Sequence, residues 1–132
     1  MCCMGFVKVR ARVWNIYDPD RVREVEMIVD TGALYSVLPR SLLEELGVNP
    51  VEKRMFRLAD GRIIEREVGF IGIEVEGRRT YSPVIFGDEG IYLMGVVTLE
   101  GLGLEVDPVT GRLRPTVLLL YFISHEDLLT VP

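Results

Sequence analysis

An alternation of period two sets the first limit on this chain. From Phe6 to Trp14 it reads Phe-Val-Lys-Val-Arg-Ala-Arg-Val-Trp, apolar and basic side chains in turn. That spacing puts one set on each face of a strand, whereas a helix would scatter both. Tyr17-Asp-Pro-Asp20 reads as a turn, and Arg21–Val29 runs back, so residues 6–29 form an expected hairpin. One face of it is apolar and the other charged, as in a sheet that covers a core on one side. Further along, Met55–Ala59 and Arg62–Arg66 flank Asp60-Gly61, a strong hairpin signal. Gly69–Glu76 is another strand, turned by Gly77-Arg-Arg into Thr80–Phe86, and Gly87–Gly90 ends that strand. Leu104–Leu113 reads as a last hairpin with its turn at Asp107–Gly111.

Helical signals are few. Pro39–Gly47 carries Glu44 and Glu45 and a closing glycine, about two turns. Val97–Gly101 reads as a second short helix. The fold class is therefore mostly β, with one or two short helices. At 132 residues the expectation is a single domain, 1–132. That size raises a difficulty for catalysis, since a cleft is commonly built between two lobes and this chain has length for one.

Charge and residue counts remove several classes of function. Asp and Glu number 20 against 15 Lys and Arg, a net charge of −5. A net acidic chain lacks the positive surface that non-specific nucleic-acid binding needs, so no nucleic-acid partner is expected. Arg78-Arg79 reads as a solvated turn. The one histidine, His125, excludes any metal site built on two His ligands; no metal and no cofactor is expected. Adjacent Cys2 and Cys3 make neither a Cys-x-x-Cys motif nor a disulfide framework. The longest apolar run, Val117–Ile123, is far short of the ~20 residues of a membrane helix. No membrane partner is expected, and a cytoplasmic location follows as the default.

Met27-Ile-Val-Asp-Thr-Gly-Ala33 is the segment that carries chemistry. Three apolar residues deliver the carboxylate of Asp30 into a tight turn, where Gly32 tolerates backbone geometry that other residues resist. The plain alternative is an ordinary strand ending in a turn; chance places Asp-Thr-Gly in a chain of this length about 2% of the time. Asp18, Asp20, Asp88 and Asp107 sit in turn sequences and lack the apolar lead-in of Asp30. Trp14 is expected in the core. Tyr35, beside the Asp30 turn, is compatible with either a pocket wall or core packing.

With these residues in place, the chain resembles the retropepsin-like aspartic proteases, single-lobe relatives of pepsin. Asp30-Thr31-Gly32-Ala33 resembles their catalytic loop, and Ser36 falls where many members carry Ser or Thr. Leu93-Met94-Gly95, followed by a short helix, resembles the apolar-apolar-Gly segment that passes behind that loop. The hairpin at Ala59, Asp60, Gly61 and Arg62 is the candidate flap. A helix after the catalytic loop, as at Ser41–Leu46, is the style of soluble prokaryotic members. The resemblance spans roughly residues 6–115 and leaves Val117–Pro132 unmatched. Val117–Ile123 is either a dimer strand or a core strand.

The resemblance implies a mostly β, single-lobe acid-protease β-barrel with one or two short helices, active as a two-fold homodimer on a peptide or protein substrate. Each chain would supply one Asp30, and two carboxylates held together share a proton and titrate as a pair, the behaviour for which aspartic proteases are the standard example. By the same resemblance Thr31 would hydrogen-bond across the dimer and Gly32 would let backbone and substrate approach. Two other readings stand beside this one: a catalytically silent dimerisation or peptide-binding module on the same fold, and an unrelated β-barrel in which Asp-Thr-Gly is only a turn.

Overall fold

The computed structural model describes residues 7–118. Cys2, Cys3, His125 and the run beyond Leu118 lie outside the described residues. Among the described residues nine strands and two helices follow in the order β1 (Val7–Asn15), β2 (Asp18–Val29), β3 (Ser36–Pro39), α1 (Arg40–Glu45), β4 (Glu52–Arg57), β5 (Ile63–Val75), β6 (Arg78–Gly87), β7 (Leu93–Met94), α2 (Val96–Leu102), β8 (Leu104–Val106) and β9 (Leu113–Pro115).

The period-two pattern behaves as its chemistry requires. Val9, Ala11 and Val13 of β1 point into the core, while Lys8, Arg10 and Arg12 face water. Val7 pairs with Val29 and the ladder runs antiparallel to Trp14↔Val22. The first turn, however, falls at Ile16-Tyr17, and Asp18, Pro19 and Asp20 open β2 instead of forming the turn. Asn15 is the reason. Its Oδ1 accepts the Tyr17 N–H at 2.8 Å, and its Nδ2 donates to the Leu46 carbonyl at 2.8 Å. Pro19 has no N–H to give the ladder, and the register jumps there from Trp14↔Val22 to Asn15↔Asp18. Trp14 is likewise not in the core. It is half-buried on the outer face, where its indole lies across Gly72 and a Cβ at that position would sit 2.1 Å from the ring.

The strands β1-β2-β7-β3-β6-β5 run side by side, and β5 pairs back onto β1, so the sheet closes on itself. Closure leaves β4 as an extension on β5. The β5 strand is continuous for 13 residues, where the sequence suggested separate strands before and after Gly69. Its first half pairs with β4, and its second half pairs with β6 and β1. Gly69 marks close packing and not a break, because a Cβ there would lie 3.0 Å from the Asn49 carbonyl and from the Phe86 ring.

Met27, Leu38, Leu43, Ile71, Ile73, Val84 and Met94 form the centre of the core. The helix α1 presses Leu42 and Leu43 into it, and α2 contributes Leu99 and Leu102. Pro39 occupies the N-cap position of α1, Ser41 N–H and Oγ–H both donate to the Glu89 carboxylate, and Gly47 at φ +77° follows its end. At that end the Glu45 and Leu46 carbonyls, which have no partner inside the helix, accept from Arg21 and Asn15. The second helix runs a residue further at each end than expected, Val96–Leu102. The last hairpin forms as β8 and β9, with Asp107 Oδ1 accepting the Val109 N–H at 2.8 Å in its turn.

Candidate active site

Asp30 is the first residue beyond β2. The last apolar residues of that strand, Met27 and Val29, are buried and anchor it. Beside them β7 runs parallel, with Ile28 opposite Leu93 and Val29 opposite Met94. The pairing continues into the turn, where the Asp30 N–H donates to the Met94 carbonyl at 2.9 Å.

The turn itself is closed by its own aspartate. The Gly32 N–H donates to Asp30 Oδ1 at 2.9 Å, and the Ala33 N–H donates to the Asp30 carbonyl at 3.1 Å. This Asx-type closure fixes which way the carboxylate faces. A Cβ on Gly32 would stand 3.2 Å from that same oxygen. Asp30 is half-buried, and Thr31 and Gly32 are exposed beside it.

Residues 94–97 hold the turn from behind. Val96 N–H donates to the Ala33 carbonyl at 2.9 Å and Val97 N–H to the Leu34 carbonyl at 3.0 Å. Gly95 N–H donates to Ser36 Oγ at 3.0 Å. The approach is so close that a Cβ on Gly95 would meet the Tyr35 backbone at 2.6 Å. Leu93, Met94 and Gly95 are therefore brought against the Asp30 turn by backbone contacts, and the Met94 side chain is buried in the core.

The hairpin of β4 and β5 reaches the same turn through Tyr35. The Tyr35 ring meets Phe56 edge-on with centroids 5.7 Å apart, and the Arg54 guanidinium lies over it at 5.7 Å and donates to its hydroxyl. Tyr35 thus packs against β4. At the hairpin tip the Leu58 N–H bonds the Arg62 carbonyl at 2.8 Å, and Gly61 adopts φ +91°. Asp60 accepts the Arg62 N–H at 3.0 Å and its Nε–H at 2.7 Å. These bonds, the backbone N–H first, hold the Asp60 carboxyl below its ordinary value. Ala59, Asp60, Gly61 and Arg62 are exposed, and among the described residues their hydrogen bonds stay within the hairpin.

An open groove of ≈ 370 Å³ flanks the carboxylate, lined by Ile28, Val29, Asp30, Thr31, Gly90, Ile91, Tyr92 and Leu93. Its walls are largely apolar. No group of three or more His, Cys, Asp or Glu placed to hold a metal ion occurs among the described residues. Nor is any helix among them long and apolar enough to cross a membrane.

Several residues at this site were not singled out from the sequence. Arg54 and Phe56 carry no signal apart from their place in a strand. Thr98 and Ser82, buried behind Ser36, show only as polar residues within apolar stretches, Val-Val-Thr-Leu and Tyr-Ser-Pro-Val.

A family model described as Aspartyl protease matches residues 15–106, well over half of the chain. No curated protein matches. Among solved structures, the solution structure of Simian Foamy Virus (mac) protease superposes with a TM-score of 0.52 at 16% identity, covering 70% of this chain and 91% of that one. At that identity the likeness is one of fold. By its matched residues and its single-lobe β fold, the chain belongs to the aspartyl protease family, with the retropepsin-like architecture.

Proposed function

We propose that the protein is a homodimeric aspartic endopeptidase in which Asp30 of each of two chains forms the catalytic pair. The observation that carries this reading is the Asp30 turn. Its carboxylate is oriented by the Gly32 N–H, its backbone is fastened to Met94, and it faces an open, apolar-walled groove. Exposed Thr31, Leu34 and Ile91 around it leave room for a second copy and for substrate.

In the pair, one carboxylate is ionised and the other protonated. The ionised group takes a proton from water as the water oxygen bonds to the peptide carbonyl carbon. The protonated group gives its proton to the carbonyl oxygen, which forms a tetrahedral diol. As that intermediate collapses, one diol hydroxyl gives its proton to the carboxylate that is then ionised, the C–N bond breaks, and the leaving nitrogen takes the proton held by the other carboxyl, which leaves the pair with one ionised and one protonated group. The chemistry requires no covalent intermediate. The supporting roles also belong to this proposal: Thr31 contacts the partner copy, Gly32 and Ala33 shape the loop, Leu93–Gly95 back it, and Ala59–Arg62 close over the peptide and exclude water. The apolar groove favours an apolar substrate side chain beside the scissile bond.

Peptide hydrolysis from acid to neutral pH, by the wild type and by Asp30→Asn, tests the reading. Turnover that falls at least ~10³-fold in Asp30→Asn is expected, since the change removes the general acid–base group together with the electrostatic complement to the transition state. Turnover indifferent to Asp30 would remove the proposal. A wild type that binds peptide without cleaving it would favour the silent binding module.

A further inference from the structure

Behind Ser36 lies a chain of three buried hydroxyls. Ser36 is 0% exposed, Thr98 0% and Ser82 2%. Ser36 Oγ stands 2.5 Å from Thr98 Oγ1, and Thr98 Oγ1 stands 2.7 Å from Ser82 Oγ. At one end Gly95 N–H meets Ser36 Oγ at 3.0 Å, and at the other Ser82 Oγ–H meets the Pro83 carbonyl at 3.0 Å.

The two ends fix the direction of the whole chain. A backbone N–H can only donate, so Ser36 Oγ accepts from Gly95. A carbonyl can only accept, so the Ser82 proton is committed to Pro83. Ser82 then accepts from Thr98, and Thr98 in turn accepts from Ser36. Every hydroxyl in the row gives once and receives once.

The far end of this row touches the Asp30 turn through a single rigid unit. The N–H of Gly95 and the C=O of Met94 belong to the same peptide group, which is planar. Its N–H is held by Ser36, and its C=O accepts the N–H of Asp30 at 2.9 Å. A tilt of the plane about the chain axis that frees one bond moves the other. We propose that Thr98, with Ser82 behind it, is a positioning residue for Asp30. The hydroxyl row sets the tilt of the Met94–Gly95 peptide, and that tilt sets the height of the Asp30 backbone. The inference rests on the reading of Asp30 as the catalytic group for its effect on rate, but not for its effect on the turn.

Thr98→Val removes the hydroxyl and keeps the shape, while Thr98→Ser keeps the hydroxyl. Two readouts are taken on the full chain: steady-state peptide hydrolysis corrected for folded fraction, and the hydrogen-exchange rate of the Asp30 amide. In Thr98→Val, kcat is expected to fall about 10- to 100-fold with KM within about twofold, as for a sub-ångström to 1 Å misplacement of a reacting group. Exchange at the Asp30 amide should accelerate, and Thr98→Ser should restore both. Unchanged kcat per folded molecule with only a lowered melting temperature would overturn the proposal, because that is the result of a merely structural role. Should the wild type prove inactive on peptides, the reading of Asp30 as catalytic fails. The exchange measurement then decides the row alone, and unchanged exchange at Asp30 in Thr98→Val overturns it. If Thr98→Val does not fold, Ser82→Ala, which strands the Thr98 proton, carries the same expectations and the same overturning results.

Discussion

Two glycines beside Asp30 meet different neighbours, and they should fail differently when replaced. A Cβ on Gly95 would lie 2.6 Å from the backbone of Tyr35, which cannot yield without moving the turn. Gly95→Ala is therefore expected to lower the stability by about 1–3 kcal/mol or more, read as a lowered denaturation midpoint, and to lower activity with it. A Cβ on Gly32 would lie 3.2 Å from Asp30 Oδ1, the end of a side chain that can rotate away. Gly32→Ala should leave the denaturation midpoint near that of the wild type while kcat falls about tenfold or more, through a misdirected carboxylate. Equal loss of stability in both variants would contradict this account. These residues also show what a sequence can disclose. Asp30 is legible because its cue is local: an apolar strand, a carboxylate, then a glycine turn. Gly95 is visible only as the end of a weak three-residue motif, and Thr98 hardly at all. Their importance lies in contacts with residues about 60 positions away, at Tyr35 and Ser36.

At the scale of the element, the hairpin of β4 and β5 was legible from Asp60-Gly61, but its anchoring was not. The sequence divides β5 at Gly69, whereas the strand runs on, because a glycine in close contact and a glycine in a turn look alike without their neighbours. The tip has a charge arrangement that can be tested. Asp60 accepts from the Arg62 N–H and guanidinium, which lowers its carboxyl below the ordinary value. A depressed carboxyl stabilises the hairpin at every pH above its unfolded value, about 3.9. That contribution is lost as pH falls through the lower folded value. The tip should accordingly be better ordered at neutral pH than in strong acid. An NMR titration of Asp60 should give a midpoint below the ordinary carboxylate range. Arg62→Ala should raise it only part of the way, since the backbone N–H, the larger influence, remains. An ordinary midpoint in the wild type would remove the clamp.

For the whole molecule, the mostly β fold and its short helices followed from alternation and turn chemistry. The closure of the sheet did not. It depends on β5 meeting both β6 and β1, a pairing across about 60 residues that no local pattern records. Nor does a single chain answer the difficulty raised by its own size, one lobe where a cleft needs two. If two copies supply one Asp30 each, the active unit is the pair, and the arithmetic of mixing exposes it. Wild-type and Asp30→Asn chains combined in equal amounts and allowed to exchange would pair at random. About a quarter of the pairs would then hold two Asp30 carboxylates, so activity per total chain would fall to about a quarter of the wild-type value. Independent monomers would keep about half. Dilution gives the second arm, because below the dimer dissociation constant the specific activity should fall in proportion to chain concentration. A mixture that keeps half its activity, together with specific activity that is flat on dilution, would mean that one chain works alone and that a single Asp30 is enough.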